Sequence, residues 1–299
     1  MDIRRLHSFI VIADTGSITK AADILHVAQP ALSQQLAALE DYFQQKLLTR
    51  SQQGVKLTDA GRAVYRHAQT ILRQMECAKA DAFAAAGELV GRVCVGLIPF
   101  SGATTLSLEL LRQTCLRHPG ILLDIKESVG QAYSQMILNG VLEIALIHGK
   151  GPIKGVDFTP IREEELWVVH NGNFMLEASE GVLPVTALDG LPMLLPPSYN
   201  FVRKAVETTF IRSRVNLNII AEIDAVRTLI QAIDHGLGLS IMPRAIVDRI
   251  ISEATSPIVA YKITPKIKET LSICTPAHSP LSEAAKAVRT ILVELSGQL

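Results

Sequence analysis

Cysteine is scarce in this chain: Cys77, Cys94, Cys115 and Cys274 stand far apart, with no Cys-x-x-Cys pair among them. That spacing excludes a disulfide framework and a zinc ribbon, and leaves four small hydrophobes in a reducing compartment. Net charge is also missing, since 29 Lys/Arg balance 29 Asp/Glu, so the surface as a whole does not attract polyanions. No uncharged run reaches the roughly 20 residues of a membrane span. The N-terminus runs straight into an amphipathic helix and not a signal peptide, so the expected location is cytoplasmic with no membrane partner. The eight histidines (7, 26, 67, 118, 148, 170, 235 and 278) are scattered, with no metal-ligand spacing. Neither Gly-x-Ser-x-Gly nor a phosphate-cradling Gly-Lys-Ser/Thr loop occurs. Gly236-Leu237-Gly238 follows a helix instead of opening one, and reads as a C-cap before a strand. The expectation is therefore no catalytic residue, no metal and no enzyme. Glu163-Glu164-Glu165 reads as a solvated carboxylate run.

At 299 residues and 48% hydrophobic content the chain has two or three compact units. Asp2 caps a first helix in which Ile3, Leu6, Phe9, Ile10 and Ala13 repeat at helical period, and Thr15-Gly16 ends it. Ser17 caps a second helix over Ile18 to Leu25, His26-Val27-Ala28 turns, and Pro30 sits in the first turn of a third. Leu32, Leu36, Leu39 and Phe43 make that helix's buried stripe, while Pro30, Ser33, Gln34 and Ala37 fall on or near the opposite face, with Gln29 at the helix tip. A helix with a buried Leu stripe and an amide- and hydroxyl-rich tip suits the DNA major groove; the plainer alternative is a solvated αα-hairpin. Leu47–Arg50 and Val55–Leu57, turning at Gly54, form a β-hairpin wing that carries Arg50 and Lys56. The first 73 residues hold nine Lys/Arg against six Asp/Glu, so positive charge collects at this end.

Thr58-Asp59 opens a long helix to about Ala86. Along it Val64, Ala68, Ile71, Met75, Ala78 and Ala82 step by fours and threes, as a dimerisation seam does. The competing reading buries this helix against the C-terminal half. After Gly87 and Gly91, strands (93–98, 121–127, 142–147) alternate with helices (104–117, 132–139). A second series follows with strands at 166–170, 193–196, 217–223 and 239–242, and helices at 202–213 and 225–235. The chain closes with strand 270–275 and a helix from Pro280. This order implies mostly parallel sheets with helices on both faces. Pro160–Glu165 and Tyr261–Lys268 are candidate crossovers between two lobes that enclose a cleft.

AADILHVAQPALSQQLAALE, the wing RSQQGVKLTDAG at 50–61, the linker helix and the two-lobed remainder together resemble the LysR-type transcriptional regulators. The resemblance covers the whole chain. HVAQPALSQQ, RHAQTILRQ and PPSYNFVR are similar to the nitrogen assimilation control branch. It implies a winged helix-turn-helix DNA-binding domain (1–58), a linker and dimerisation helix (59–90) and a periplasmic-binding-protein-like α/β effector domain (91–299). Lobe I would take 91–161 with 268–299, and lobe II 162–267. The implied partners are double-stranded promoter DNA with an inverted-repeat site, further copies of the chain as dimer and tetramer, and RNA polymerase. No cofactor is implied; the cleft would hold either a small-molecule co-inducer or, as in the nitrogen-control branch, nothing.

Matched position by position, Gln29, Pro30 and Ser33 fall where the family touches bases and phosphates. Ser17, Thr19, Gln34, Arg50, Gln53 and Lys56 complete the expected DNA-facing set. Gln34 and Gln53 stand where many members carry Arg, which implies a shallower salt dependence. Arg50 is either a phosphate contact or a structural ion-pair partner. The expected effector set is Pro99, Phe100, Ser101, Thr104, Ser128, Ser198, Tyr199 and Asn200, at strand ends where free N–H groups suit an anion. Each serine singly also reads as a helix cap. A solute-binding protein or an α/β enzyme using the cleft are the alternatives; deleting residues 1–60 separates them, because only a regulator loses DNA binding.

Overall fold

A computed structural model describes residues 2–51, 54–128 and 130–297. The chain divides into two compact units, Met1–Gly87 with Asn139–Val141, and Glu88–Leu138 with Leu142–Leu299.

In the first unit, α1 (Ile3–Thr15) is capped by the Asp2 carboxylate, which accepts from Arg4 N. α2 (Ile18–Leu25) is capped by Ser17 and ends at His26, whose φ of 52° reverses the chain toward α3 (Gln29–Phe43). Leu32, Leu36 and Leu39 of α3 are buried against Leu6, Phe9 and Ile12 of α1, as the helical period requires. β1 (Leu48–Ser51) and β2 (Gly54–Leu57) pair antiparallel, with Thr49 opposite Lys56. Gly54 has φ of 114°, and a Cβ there would stand 2.5 Å from Gly16 O. The wing needs glycine at this point to dock on the α1–α2 corner, where Val55 N donates to Gly16 O at 2.8 Å.

The long helix α4 (Asp59–Ala85) is capped by Thr58, whose hydroxyl accepts from Gly61 N and donates to Lys46 O. The residues of the expected seam lie in two different surroundings. Val64 and the fully buried Ala68 pack into the core of this unit, because the first turns of α4 lie against α1. Further on, Ile71, Met75, Ala78 and Ala82 are exposed.

The second unit has two lobes, each with its own core. In lobe I, β3 (Gly91–Leu97) lies between β4 (Ile121–Glu127) and β5 (Ile144–His148), all parallel. They are connected through α5 (Ser107–Arg117) and α6 (Gly130–Leu138), with a 3-10 turn over Gly102–Leu106 before α5. β6 (Val156–His170) is one 15-residue strand. Its N-terminal half pairs with β12 in lobe I and its C-terminal half with β10 and β11 in lobe II. Lobe II adds β7 (Val182–Pro184), the parallel pair β8 (Pro192–Leu195) and β9 (Asn218–Glu222), and the helices α7 (Phe201–Ser213) and α8 (Val226–Asp234). β10 (Ser240–Pro243), α9 (Arg244–Glu253) and β11 (Val259–Thr264) follow, and then β12 (Lys268–Pro276) and α10 (Glu283–Ser296) close the chain in lobe I.

Three expectations need correction. The sheets are mixed, since β12 runs antiparallel to both its neighbours and β6 antiparallel to β10 and β11. The segment 160–165 does lie in the passage between the lobes, but as the middle of β6, whose Pro160 and charged run hid its strand character. α9 and β11 went unread, although α9 buries Ile246, Val247 and Ile250 at helical spacing.

Candidate nucleic-acid interface and interlobe cleft

The tip of α3 is the first site. Its N-cap is Ala28, which offers no side-chain acceptor, so the first amides of the helix are left for an outside acceptor. Gln29 Nε2 donates to Ser33 Oγ at 2.9 Å, one turn on, and Gln29, Pro30 and Gln34 are exposed. The structure thus brings Gln29, Pro30, Ser33 and Gln34 onto one polar end of one helix. Thr19 and Lys56 are exposed nearby in the same unit, whereas Ser17 Oγ is engaged as the α2 cap, accepting from Lys20 N. Gln53 and the Arg50 side chain lie outside the described residues.

A residue that the sequence reading missed supports this frame. Glu40, on α3, is 9% exposed; its Oε1 accepts from Leu47 N (3.0 Å) and Leu48 N (3.3 Å), and Lys46 Nζ donates to its Oε2 at 2.7 Å. It ties the entry of the wing to the back of α3. Burial pushes its carboxyl up, but Lys46 and the two amides outweigh that and hold it below the usual carboxylate value.

The second site is the cleft between the lobes of the second unit. A cavity of about 510 Å³ is lined by Pro99, Thr104 and Ser128 from the expected set, and by Glu127, Asp224, Arg227 and Arg249. Tyr133 fixes the Ser128 corner: its hydroxyl accepts from Ser128 N and donates within reach of Leu97 O and Lys126 O, and burial pushes its pKa up, so it stays neutral.

The other expected residues fall elsewhere. Ser101 is fully buried as a cap, donating to Ile98 O at 2.7 Å and accepting from Ala103 N at 3.1 Å. Asn200 caps α7 through Val202 N. Tyr199 reaches the cavity wall indirectly, its hydroxyl donating to Asp224 Oδ2 at 2.8 Å, and Ser198 is exposed outside the lining. Phe100 corrects the expectation most sharply: at φ of 57° it turns away from the cleft and is fully buried in the lobe II core. An apolar ring gains more from that burial than from facing a charged cavity.

A third arrangement sits where β6 passes between lobes. Glu164, 5% exposed, accepts from Gly102 N at 2.8 Å with Oε1 and meets His148 Nε2 at 2.7 Å with Oε2. The expectation of a solvated carboxylate is therefore wrong for Glu164. Strand alternation is the reason, since Glu163 and Glu165 face the other way and pair with Lys268 and Lys266.

A winged helix-turn-helix followed by a long helix and a two-lobed α/β domain with a cleft defines a DNA-binding regulator with a sensing module. Residues 3–62 match the family described as bacterial regulatory helix-turn-helix protein, lysR family, and residues 86–296 match the LysR substrate binding domain. The chain belongs to the LysR family of DNA-binding transcriptional regulators. Among curated relatives, the nitrogen assimilation regulatory protein nac of Klebsiella aerogenes is 36% identical, over 99% of this chain and 95% of its own length. The nac protein of Escherichia coli is 34% identical at the same coverage. Full-length OxyR from Pseudomonas aeruginosa superposes with a TM-score of 0.76 at 23% identity, covering 99% of this chain and 94% of that one. CbnR, solved full-length in complex with its target DNA, gives 0.71 at 22% identity, covering 99% of this chain and all of that one. Among the described residues no helix is long and apolar enough to cross a membrane.

Proposed function

We propose that this regulator works in nitrogen assimilation control, from the cytoplasm and without catalytic activity. The near-full-length likeness to the two nac proteins is the observation that carries this reading. In it, the exposed end of α3 enters the major groove. Gln29 pairs with a base edge, Pro30 touches a thymine methyl and Ser33 serves a base or phosphate. Thr19, Gln34, Lys56, Arg50 and Gln53 contact the backbone from α2, α3 and the wing. The exposed stretch of α4 around Ile71, Met75, Ala78 and Ala82 joins two copies, so paired α3 helices meet the halves of an inverted repeat. Dimers pair into tetramers through effector domains and present a surface to RNA polymerase.

The cavity supports a second reading of the effector domain. Arg227 and Arg249, set against Glu127 and Asp224 beside Thr104 and Ser128, suit a small polar metabolite that carries a carboxylate and a donor group. A DNase I footprint on the region upstream of the protein's own gene tests both. Long protection with phased hypersensitive sites, unchanged by a metabolite panel and mirrored by occupancy that rises on nitrogen limitation, is the expected result. Occupancy indifferent to nitrogen supply overturns the nitrogen assignment, and a metabolite that shortens the footprint establishes the second reading.

A further inference from the structure

We propose that Glu164 is a built-in ligand of the effector domain: its carboxylate fills an anion position formed by the Gly102 amide and His148, and ties the strand shared by the lobes to lobe I. The inference goes beyond the assignment of target genes and stands whichever genes are regulated.

The geometry is that of a bound anion. Both carboxylate oxygens are engaged, one by a backbone N–H at 2.8 Å and one by an imidazole nitrogen at 2.7 Å. A carboxylate oxygen only accepts, so His148 Nε2 donates. His148 is fully buried and, among the described residues, its Nδ1 has no hydrogen-bond partner, so Glu164 is the one side chain hydrogen-bonded to its ring, with Glu269 acting on it electrostatically. The three groups come from three places: Gly102 opens the turn after β3, His148 ends β5, and Glu164 sits on the strand shared by the lobes. One bond network therefore anchors β6, just before it enters lobe II, to two elements of lobe I. Phe100, two residues before Gly102, reinforces it by burying its ring among Leu166, Val168 and the rest of the lobe II core.

The position is also reachable. A cavity of about 350 Å³ is lined by Gly102, Glu164 and Arg162, with Thr105, Glu165, Arg244 and Asp248 around it. Arg162 lies two residues from Glu164, on the same face of β6, and carries no ion pair among the described residues. Arg244 and Asp248 pair with each other and are about half-exposed, so the cavity communicates with solvent. Removing the Glu164 side chain would leave a buried donor pair beside a solvent-connected cavity that Arg162 also lines, which is a site for a small monocarboxylate.

The test is chemical rescue in the full-length protein. Glu164→Ala should lower Tm by roughly 4 °C or more. Formate or acetate at about 50 mM should recover at least half of that loss, sodium chloride at equal ionic strength should not, and the wild type should not respond. A variant that melts like the wild type, equal recovery with chloride, or an equal carboxylate shift in the wild type would each overturn the proposal. Should Glu164→Ala fail to fold, Glu164→Gln keeps the volume and weakens the acceptor. The Gly102 amide should then exchange hydrogen roughly tenfold faster than in the wild type, with β3 unchanged. Equal exchange rates refute the lock.

Discussion

Two polar pairs in this molecule have opposite surroundings. Gln29 and Ser33 join across one turn of α3 with Gln29 in open solvent. Glu164 and His148 join β6 to the end of β5 with both side chains almost wholly buried. An exposed amide–hydroxyl bond is worth little, because water replaces it at once, so the pair is free to exchange partners with a base or phosphate. A buried charged bond has no such substitute, and breaking it leaves desolvated groups behind. The first pair waits for a ligand and the second already has one.

The comparison breaks most readily at the frame that presents the exposed pair. Leu39 is fully buried under α3, and Leu39→Ala should destabilise the winged unit by about 2–5 kcal/mol. Unfolding followed in that unit should shift while unfolding of the effector unit stays in place. A common shift of both would mean that the units do not unfold independently, and the two polar sites would then share one stability.

Glu40 makes the comparison within a single unit, since it is a buried carboxylate a few residues from the exposed pair. Its folded value lies below the ordinary 4.5. The bound state of its partners therefore adds stability that is fully present above that pH and is lost as pH falls through the folded value. Urea unfolding of the winged unit between about pH 6 and pH 3 should show this decline. Glu40→Gln should flatten it and remove about 1–2 kcal/mol at neutral pH, the scale of a hydrogen bond to a charged group. A variant with the same acid slope as the wild type would remove Glu40 from the account.

Breaking the exposed pair itself should leave stability alone and act on DNA. Gln29→Ala or Ser33→Ala should weaken binding to the specific site by about 1–3 kcal/mol and leave non-specific binding nearly unchanged. Fluorescence anisotropy on both DNAs reads the difference. An equal loss on each would show that the residue positions the backbone and does not read a base.

How well these sites could be read in advance follows the distance between partners. Ser17, Thr58 and the Leu stripe of α3 act on residues within one or two turns, so caps and period placed the helix-turn-helix, the wing and α4 closely. Glu164 gave no such signal. Its partners are 16 and 62 residues away, and three glutamates in a row resemble a solvated loop until strand alternation separates the middle one. Phe100 is similar: nothing local says that a ring at the end of a lobe I strand will be buried in lobe II. Val64 and Ala68 carry a seam spacing, but the same period serves packing on α1 equally well, and only tertiary structure decides between the two.

The smallest expected effect tests the reach of the exposed site beyond its pair. Gln34 is exposed on α3, one residue past Ser33, and it carries no charge. Polyelectrolyte theory ties each neutralised phosphate to released counterions, so the logarithm of affinity falls with the logarithm of salt by about one unit per added contact. Gln34→Arg should therefore steepen the slope by roughly 1 and tighten binding at low salt, on specific and non-specific DNA alike. Because the gain is electrostatic, the specificity ratio should stay as it was. An unchanged slope would mean that this face of α3 lies away from phosphate, and that the DNA-facing surface ends at Ser33.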